Sequence, residues 1–491
     1  IKRYIMNKIS CFLPYAGKEQ VEKTVNSLQA TGLIEEIRLI TTDATLESLP
    51  DCEILFVDMP YSSATLKAIA NAAKGEYTLL YTKETTLEMG MFALERMIHI
   101  LEDSSAGMVY ADHYQIADGK QSNAPVIDYQ FGSLRDDFNF GSLLLFNTEK
   151  LKEAAGHMKS DYNFAGLYDL RLKLSQHSNL VHINEYLYSE VENDTRKSGE
   201  KIFDYVDPKN RDRQIEMEQA CTEHLKEIGG YLAPEFKKIE FSAGNFEYEA
   251  SVIIPVRNRI RTIRDAIKSV LMQKTDFKYN LIIIDNHSTD GTTEAIDEFK
   301  DDERVIHIIP ERTDLGIGGC WNMGVHHPKC GKFAVQLDSD DVYKDENTLA
   351  IMVRAFYEQN CAMVVGTYMM TDFNMNMIAP GIIDHKEWTP ANGRNNALRI
   401  NGLGAPRAFY TPVLREVKVP NTSYGEDYAL GLNFSRQYQI GRVYDVVYLC
   451  RRWDDNSDAS LDIVKMNGHN LYKDRIRTWE LQARIAMNKN K

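Results

Sequence analysis

The chain has 491 residues, of which 43% are hydrophobic and 26% are charged. Domains typically hold roughly 50–200 residues, so a chain of this length predicts about two to four structural units. The formal net charge of −14 argues against a nucleic-acid-binding protein, because phosphate binding depends on clustered lysine and arginine.

The seven cysteines are scattered and contain no C-x-x-C pair, which is typical of free thiols in a reducing compartment. No apolar run approaches the roughly 20 residues that a membrane-spanning helix needs. No apolar signal-peptide core follows the first residues either. The sequence therefore predicts a cytoplasmic protein without a transmembrane segment.

A strand–helix–strand pattern opens the chain. An apolar run at 9–14 ends in proline, a helical pattern covers 19–29, and a second apolar run at 37–43 ends in aspartate. Continuous apolar runs that are rich in β-branched residues are typical of strands buried on both faces of a parallel sheet. We therefore predict an α/β fold for this half of the chain.

The second half repeats this plan. An apolar run at 251–255 ends in proline, a helical pattern covers 261–272, and a run at 281–285 ends in aspartate. The repeat extends further, because 75–81 matches 331–337 and 168–175 matches 428–435. Matches in the same order and at similar offsets predict a tandem duplication. The predicted units are a first α/β domain at 6–200, a helical linker at 201–248, a second α/β domain at 249–465 and a C-terminal helix at 466–491.

The strongest chemical signal is the run Asp-Ser-Asp-Asp at 338–341, which follows an apolar run. Residues i and i+2 of an extended segment point the same way, so Asp338 and Asp340 can converge on one ligand. Ligands of open α/β sheets bind at the carboxyl ends of strands, and carboxylates suit Mg²⁺ or Mn²⁺ that bridges to phosphates. The alternative interpretation is a solvated acidic turn or a helix N-cap.

Five motifs occur in a fixed order in the second half. They are VIIPVRN at 252–258, IIDNHSTDGT at 283–292, NMG at 322–324, DSDD at 338–341 and GEDY at 425–428. In this order the region from 249 to 465 resembles the family 2 glycosyltransferases, which share the GT-A fold. The resemblance implies two tandem GT-A-like domains, a nucleotide-sugar donor (a UDP-sugar is favoured) and a Mn²⁺ or Mg²⁺ cofactor.

The resemblance also implies a role for individual residues. Nucleotide-sugar contacts would fall to Pro255, Arg257, Asn258, Asp285, Asn286, Asn322, Asp338, Arg452 and Trp453. Asp340 would be the direct metal ligand, shared with Asp338, and Asp427 would be the general base beside Glu426, which would position the acceptor. A carboxylate that takes the proton of a sugar hydroxyl aids its attack. The alternative for Glu426 and Asp427 is a pair at a helix start, favoured by the macrodipole.

Two positions depart from the family pattern. Trp321 stands where members often carry arginine, before the Asn-x-Gly motif. The segment 450–457 replaces an Arg-x-His or Gln-x-x-Arg-Trp motif, with Leu449 in place of the glutamine. Arg452 could neutralise a diphosphate and Trp453 could pack on a sugar face. The alternative is a core tryptophan next to a surface ion pair.

The first half lacks the matching chemical groups. The segments 82–85, 165–168 and 190–191 stand against 338–341, 425–428 and 452–453. The first segment keeps only Glu84 as a possible metal ligand, the second has no carboxylate at the base position, and the third has no arginine. We therefore predict a non-catalytic first domain that supports the second, binds an acceptor glycan or forms an interface. The alternative is a bifunctional enzyme whose divergent, metal-independent first site uses Glu84, Asp112 or Asp169.

Together these patterns predict an inverting, metal-assisted glycosyltransferase of the hexosyltransferase type. Its acceptor would be a glycan, glycolipid or glycoprotein, and an acceptor lipid could hold it at the inner face of the membrane. One rival is a sugar- or nucleotide-binding protein without turnover, which would not need a base. Another is a nucleotidyltransferase, but that class typically has a glycine-rich loop where this chain has 255–258.

Overall fold

The computed structural model describes residues 8–191, 210–453 and 461–490, except 16, 48, 118 and 243. The predicted domain end at 200, the linker start at 201–209 and the motif residues 454–457 lie outside the described residues. The chain divides into two compact units. The first unit is Ile1–Tyr231 with Leu461–Leu481 and Asn488–Lys491, and the second is Leu232–Ser460 with Gln482–Met487.

The first unit alternates strands and helices. Its strands are β1 (Ile9–Pro14), β2 (Ile34–Thr41), β3 (Glu53–Phe56), β4 (Tyr77–Tyr81), β5 (Leu87–Met89), β6 (Met108–Ala117), β7 (Lys120–Ala124), β8 (Leu143–Asn147) and β9 (Leu180–Val191). Its helices are α1 (Lys18–Gln29), α2 (Ser63–Ala72), α3 (Ala93–Asp103), α4 (Thr148–His157), α5 (Gly166–His177) and α6 (Arg211–Glu227).

The second unit follows the same alternation. Its strands are β10 (Ala250–Val256), β11 (Tyr279–Asp285), β12 (Val305–Ile308), β13 (Phe333–Gln336), β14 (Val342–Tyr343), β15 (Met363–Thr371), β16 (Met377–Ile383), β17 (Arg407–Tyr410) and β18 (Ile440–Arg451). Its helices are α7 (Ile263–Leu271), α8 (Thr292–Asp297), α9 (Ile317–His326), α10 (Thr348–Gln359), α11 (Gly393–Asn396), α12 (Thr411–Val417) and α13 (Glu426–Gln437). A last helix, α14 (Ile463–Lys489), ends the described chain. No described helix is both long and apolar enough to cross a membrane.

The two sheets have the same strand order. In the first unit the order is β3-β2-β1-β4-β8-β6-β9-β5, with β7 on β6, and in the second it is β12-β11-β10-β13-β17-β15-β18-β14, with β16 on β15. In both units the first three strands of the chain pair in parallel. The predicted α/β class is therefore confirmed, and the shared order supports a duplication.

An equivalent hydrogen bond aligns the two copies. The Ser10 hydroxyl accepts the Gly75 N–H at 2.9 Å, and the Ser251 hydroxyl accepts the Gly331 N–H at 2.6 Å. The sequence match of 75–81 to 331–337 is therefore confirmed. It places Thr82 at the position of Asp338.

One sequence match was wrong by two residues. Glu190 of β9 pairs with Gln115 of β6, and Cys450 of β18 pairs with Met370 of β15. Gln115 and Met370 occupy the eighth position of their strands, which begin at Met108 and Met363. Glu190 therefore corresponds to Cys450, so 190–191 does not match 452–453. Both pairings contain a register irregularity, which sequence periodicity does not reveal.

The first unit buries both faces of its sheet. Phe12 lies in one apolar cluster, whereas its neighbours Cys11 and Leu13 lie in another. Successive residues of a strand point to opposite faces, so the continuous apolar run of β1 supplies both clusters. In the second unit every residue of β11 is buried, which also agrees with the prediction of strands covered on both faces.

Candidate active site

A cavity of about 230 Å³ lies at the end of β13 in the second unit. Of the residues singled out from the sequence, the cavity lining contains Pro255, Trp321, Asp338, Asp340, Glu426 and Asp427. The first and last of these residues, Pro255 and Asp427, are 172 positions apart in the chain. The strand order brings them together, as expected for the carboxyl edge of an open α/β sheet.

Asp338 is held in place from two sides. The Gln336 side-chain amide donates to Asp338 Oδ1 at 2.8 Å, and the Asp338 backbone N–H donates to the Tyr448 hydroxyl oxygen at 3.1 Å. Burial raises the pKa of Asp338, and the neighbouring Asp340 carboxylate also raises it, whereas Arg407 opposes this shift.

The next two carboxylates have different surroundings. Asp340 Oδ2 lies 3.7 Å from Arg259 Nε in the cavity. Asp341 Oδ1 accepts the Arg451 backbone N–H at 2.8 Å, so this side chain fixes the end of β18. Burial raises the pKa of Asp341 well above its usual range, and the charges of Asp340 and Asp338 add to the effect.

The side chains at this edge fit a hard divalent cation with two protein ligands. Asp338 and Asp340 supply carboxylate oxygens, which Mg²⁺ and Mn²⁺ prefer, and a cation would offset the repulsion between them. The described residues contain no group of three or more His, Cys, Asp or Glu side chains arranged to hold a metal ion. A cation here would therefore complete its shell with water and phosphate oxygens, as Mg²⁺ usually does.

Arg407 joins the two acidic parts of the cavity, and the sequence analysis missed it. Its Nη1 donates to Asp427 Oδ2 at 2.8 Å, and its backbone N–H donates to Gln336 Oε1 at 3.2 Å. Burial alone would lower the pKa of Arg407, but Asp427, Asp338 and Glu426 raise it. One feature of the sequence could have identified it: Arg407 is the first residue of the short apolar run 407–410, and a charged side chain in a buried strand needs a partner.

Glu426 and Asp427 begin helix α13. Gly425 precedes them with φ 76°, in the left-handed region that glycine adopts without strain. Asp427 Oδ1 accepts the Tyr428 N–H at 2.7 Å. The pair therefore both begins the helix and lines the cavity. The helix macrodipole favours negative charge at this end.

The two acidic residues of this pair differ in their bonding. Burial and the charge of Asp427 raise the pKa of Glu426 to about 7. Glu426 Oε2 is buried without a hydrogen-bond partner among the described residues. Asp427 by contrast is paired with Arg407. One carboxyl group can therefore hold a proton near neutral pH beside one that is anchored by a cation.

Asp285 ends β11 and is fully engaged with its own loop. Its oxygens accept the Ser288 N–H at 3.0 Å and the Thr293 hydroxyl at 2.5 Å. Burial alone would raise the pKa of Asp285, but the His307 imidazole 3.5 Å away and hydrogen bonds from Ser288 and Thr293 hold it well below its usual range. The carboxylate is therefore ionised and fixed at the sheet edge.

The loop after β10 is tied to the loop after β11. Asn258 has φ 54°, its N–H donates to Ser288 Oγ at 3.0 Å, and its Oδ1 accepts the Thr289 N–H at 2.8 Å. Arg257 is exposed and makes no ion pair within the described part of the chain. The two loops thus form one rigid edge with a cationic side chain available to a ligand.

Asn286 and Asn322 bond to the backbone rather than line the cavity. Asn286 Nδ2 donates to the Leu315 carbonyl at 2.9 Å. Asn322 Nδ2 donates to the Val419 carbonyl at 2.7 Å, and its Oδ1 accepts the Val419 N–H at 2.9 Å. Asn322 therefore fixes the loop at Val419, and Val419 lines the cavity.

Arg452 and Trp453 lie outside the cavity lining. The Arg452 backbone N–H donates to the Thr371 carbonyl at 2.8 Å. The Trp453 ring packs edge-on against Phe373 with centroids 5.5 Å apart, and the Arg261 guanidinium lies 5.2 Å from its centroid. This cluster is a cation–π contact of the usual kind.

The first unit has an ion pair next to the position of its lost carboxylates. Lys83 Nζ lies 2.8 Å from Glu190 Oε1, and His113 Nε2 lies 3.0 Å from the same oxygen. Burial alone would raise the pKa of Glu190, but His113 and Lys83 lower it to about 2. Glu84 is exposed. The local charge is thus satisfied within the protein.

Residues 251–408 match the protein-family model described as Glycosyl transferase family 2. For these residues of the second unit, the match supports a glycosyltransferase of family 2, which is the class that the motifs predicted. The first unit shares its strand order, so the predicted α/β class is confirmed for both units, and the shared order supports the tandem GT-A-like arrangement.

Curated relatives match parts of the chain. An uncharacterized glycosyltransferase of Rickettsia felis is 37% identical over 198 residues, which are 40% of this chain and 31% of that protein. The GalNAc(5)-diNAcBac-PP-undecaprenol β-1,3-glucosyltransferase of Campylobacter jejuni is 36% identical over 93 residues, 18% of this chain and 29% of that protein. The chain thus spans about a third of the length of these relatives.

Among solved structures, S. aureus TarS 1-349 in complex with UDP-GlcNAc is similar to this chain with a TM-score of 0.37 and 18% sequence identity. The similarity covers 48% of this chain and 72% of that one.

Proposed function

We propose that the second unit is an inverting, metal-assisted hexosyltransferase. It moves a sugar from a nucleotide-diphosphate sugar to a glycan or glycoconjugate. The observation that carries the proposal is the single cavity that Asp338 and Asp340 share with Glu426 and Asp427. Sugar transfer from a diphosphate needs charge stabilisation at the leaving group and a proton acceptor at the attacking hydroxyl, and the two acidic pairs supply both.

On the donor side we assign the diphosphate to Asp338 and Asp340 through a Mn²⁺ or Mg²⁺ ion. When bound, such an ion supplies Lewis-acid stabilisation of the charge that develops on the diphosphate. Arg259, 3.7 Å from Asp340, adds a cation at the same edge. The nucleotide, with uridine favoured by the family resemblance, is assigned to the rigid edge formed by Pro255, Arg257, Asn258, Asp285 and Asn286.

Small-molecule sites typically span roughly 300–1,000 Å³. The cavity of about 230 Å³ is therefore too small to hold a whole nucleotide-diphosphate sugar. The donor therefore extends beyond the lining residues, and Arg452 and Trp453 remain proposed donor contacts on that account. Asn322 acts indirectly in this proposal, since both of its amide atoms hold the Val419 backbone.

On the acceptor side we assign proton removal to Asp427. Arg407 orients its carboxylate with a 2.8 Å bond, and the N-terminus of α13 favours its ionised form. Asp427 takes the proton of the acceptor hydroxyl while the hydroxyl oxygen attacks the anomeric carbon. The bond to the diphosphate breaks on the opposite side, so the new glycosidic bond has inverted configuration. Glu426 positions the acceptor beside this oxygen.

The acceptor proposed here is a surface polysaccharide or a lipid-linked glycan. The support for this choice is the Campylobacter jejuni relative, whose name, GalNAc(5)-diNAcBac-PP-undecaprenol β-1,3-glucosyltransferase, contains a lipid-linked glycan. A lipid-linked acceptor would place the enzyme at the cytoplasmic face of a membrane. No nucleic-acid partner is proposed, because the chain is acidic.

The first unit is proposed to be non-catalytic. Its Lys83 and Glu190 neutralise each other. The residues of the competing bifunctional proposal, Glu84, Asp112 and Asp169, do not line the first unit's cavity of about 300 Å³. Asp112 accepts hydrogen bonds from Val126 and His182, which favours a structural role.

A donor panel with the full chain tests the proposal. Hydrolysis of nucleotide sugars would be measured with and without Mn²⁺ for the native protein and for Asp340→Ala, Asp427→Asn and Glu84→Ala. We expect metal-dependent turnover of one donor, which falls at least about 100-fold in Asp427→Asn, since general bases contribute about 10²–10⁴-fold. Asp340→Ala should also lose turnover, whereas the matched control Glu84→Ala should keep it.

The same panel discriminates between the rivals. Turnover that survives the first two changes but falls with Glu84→Ala would assign the chemistry to the first unit. Donor binding without turnover in the native chain would favour a binding protein, and it would reject the transferase.

A further inference from the structure

The first unit keeps a cavity at the position of the second unit's site. Its volume is about 300 Å³. Phe146 and Phe409 are equivalent, because they pair with Met108 and Met363 at the start of matching strands. Phe146 lines the first cavity and Phe409 lines the second. The duplication has therefore preserved the pocket while the site chemistry changed.

Three charged lining residues of the second unit have uncharged counterparts in the first. Leu144 stands two residues before Phe146, as Arg407 stands two before Phe409. Leu167 is the second residue of α5, as Asp427 is the second residue of α13. These two leucines line the first cavity.

The third replacement is Thr82 at the position of Asp338, and it also lines the cavity. The carbonyl of Thr82 accepts the Tyr61 hydroxyl at 2.5 Å. The Tyr168 hydroxyl donates to the Leu134 carbonyl at 2.5 Å. The polar tips of these aromatic residues therefore bond to the protein, which leaves their rings to the cavity.

Arg171 is a buried cation in the lining, yet it is also satisfied within the unit. It donates to the Ser133 carbonyl at 2.8 Å, and its guanidinium lies 4.7 Å from the Tyr168 ring centroid and 5.5 Å from that of Phe140. Most of the remaining lining is apolar, with side chains such as Met59 and Phe138. Its other charged members are the partly exposed Asp136 and the exposed Arg213. Such a surface takes hydrocarbon rather than a sugar diphosphate.

We propose that the cavity of the first unit is a binding site for a hydrocarbon group carried by an amphiphilic ligand. An apolar cavity of about 150 Å³ accepts benzene, and this one has about twice that volume. Phe164, 38% exposed, lies in the lining, so the cavity opens to solvent and a ligand's polar end can stay outside. The proposal does not depend on catalysis in the second unit.

Calorimetric titration of the full chain with octyl β-glucoside, below its micelle concentration, tests the site, and glucose is the head-group control. We expect saturable binding of one octyl glucoside per chain and no binding of glucose. Leu167→Asp restores the second unit's residue and places a carboxylate in the apolar lining, so it should weaken binding at least tenfold. Leu167→Trp fills the cavity without adding charge and should weaken binding similarly.

Met91→Asp is the matched control, because Met91 is 88% exposed and lies outside the cavity lining. It should bind like the native chain, and far-UV circular dichroism should show that all three variants are folded. Asp340→Ala should also keep octyl binding, which separates this proposal from the transferase.

Three outcomes overturn the proposal. They are glucose binding as tight as octyl glucoside binding, equal affinity in the native chain and both Leu167 variants, and no saturable binding at all. The absence of saturable binding is expected if side chains of the protein occupy the cavity in solution.

Discussion

At the residue scale, the candidate site places four carboxyl groups and two arginines around one small cavity. Arg407 is bonded to Asp427, and its charge opposes the rise in the pKa values of Asp338 and Glu426. Sequence motifs identified the acidic residues, because each follows a strand or begins a helix. They did not identify Arg407, since its partner lies 20 positions away and only the fold joins them.

The first prediction concerns Glu426, whose pKa is raised from 4.5 to about 7 by burial and by Asp427. Between these values the unfolded chain loses the proton while the folded protein keeps it, so folding becomes less favourable as pH rises through the window. Above pH 7 the full cost is present. Glu426→Gln removes it, and we expect the second unit to gain about 2 kcal/mol at pH 8 and almost nothing below pH 4.5.

Urea unfolding of native and variant protein at pH 5 and pH 8 measures this effect. The exposed Glu84 provides the control, and Glu84→Gln should change the free energy of unfolding equally at both pH values. If Glu426→Gln also shows the same change at pH 5 and pH 8, the carboxyl group is not protonated in the folded state near neutrality.

At the scale of elements, helix α9 is held against its neighbours by glycine. A Cβ atom on Gly318 would lie 1.8 Å from the Pro420 carbonyl oxygen, and one on Gly324 would lie 2.9 Å from the Ile253 side chain. The Asn-x-Gly motif therefore has a structural explanation. Asn322 fixes the loop at Val419, and Gly324 allows close packing of the helix on β10.

The second prediction is that Gly318→Ala displaces this loop. The added methyl group meets backbone rather than a flexible side chain, so we expect a loss of about 1–3 kcal/mol. Donor turnover should fall with it, because Val419 lines the cavity. Thermal unfolding and the donor assay check both effects.

Gly156→Ala in α4 is the control, since no atom lies within 4 Å of its added Cβ. It should gain about 0.5–1 kcal/mol through helix propensity. If Gly318→Ala keeps the stability and turnover of the native protein, the loop accommodates the added methyl group and the prediction is wrong.

At the scale of the whole molecule, one strand order occurs with two differently lined cavities. Each unit has a sheet of nine described strands in the same order, yet one cavity has four carboxylates in its lining and the other is mostly apolar. Substitution of a few lining residues is enough for this change, because the sheet and its buried faces do not depend on them.

The third prediction is that the two units unfold in separate transitions. Leu39 and Ile283 are equivalent, fully buried residues, since they pair with Leu13 and Ile254 in matching parallel ladders. Truncation to alanine costs about 2–5 kcal/mol at such sites. In scanning calorimetry Leu39→Ala should lower one transition and Ile283→Ala the other. If both lower a single shared transition, the units form one cooperative system.

The sequence by itself determined the α/β class, the duplication and the positions of the acidic motifs. These properties are local, because they depend on the spacing of apolar residues along strands and helices and on the i, i+2 geometry of the Asp338–Asp340 pair. Glu426 and Asp427 were also found at a helix start from their local pattern alone.

Only the tertiary structure decided the register of Glu190, the position of Arg407 and the apolar cavity of the first unit. Each of these depends on pairing between segments that are distant in the chain. A strand carries no mark of its partner's register, and a leucine that lines a cavity has the same sequence pattern as one in a filled core. The physical reason is that periodicity fixes which face of an element is buried, whereas packing between elements fixes what that face meets.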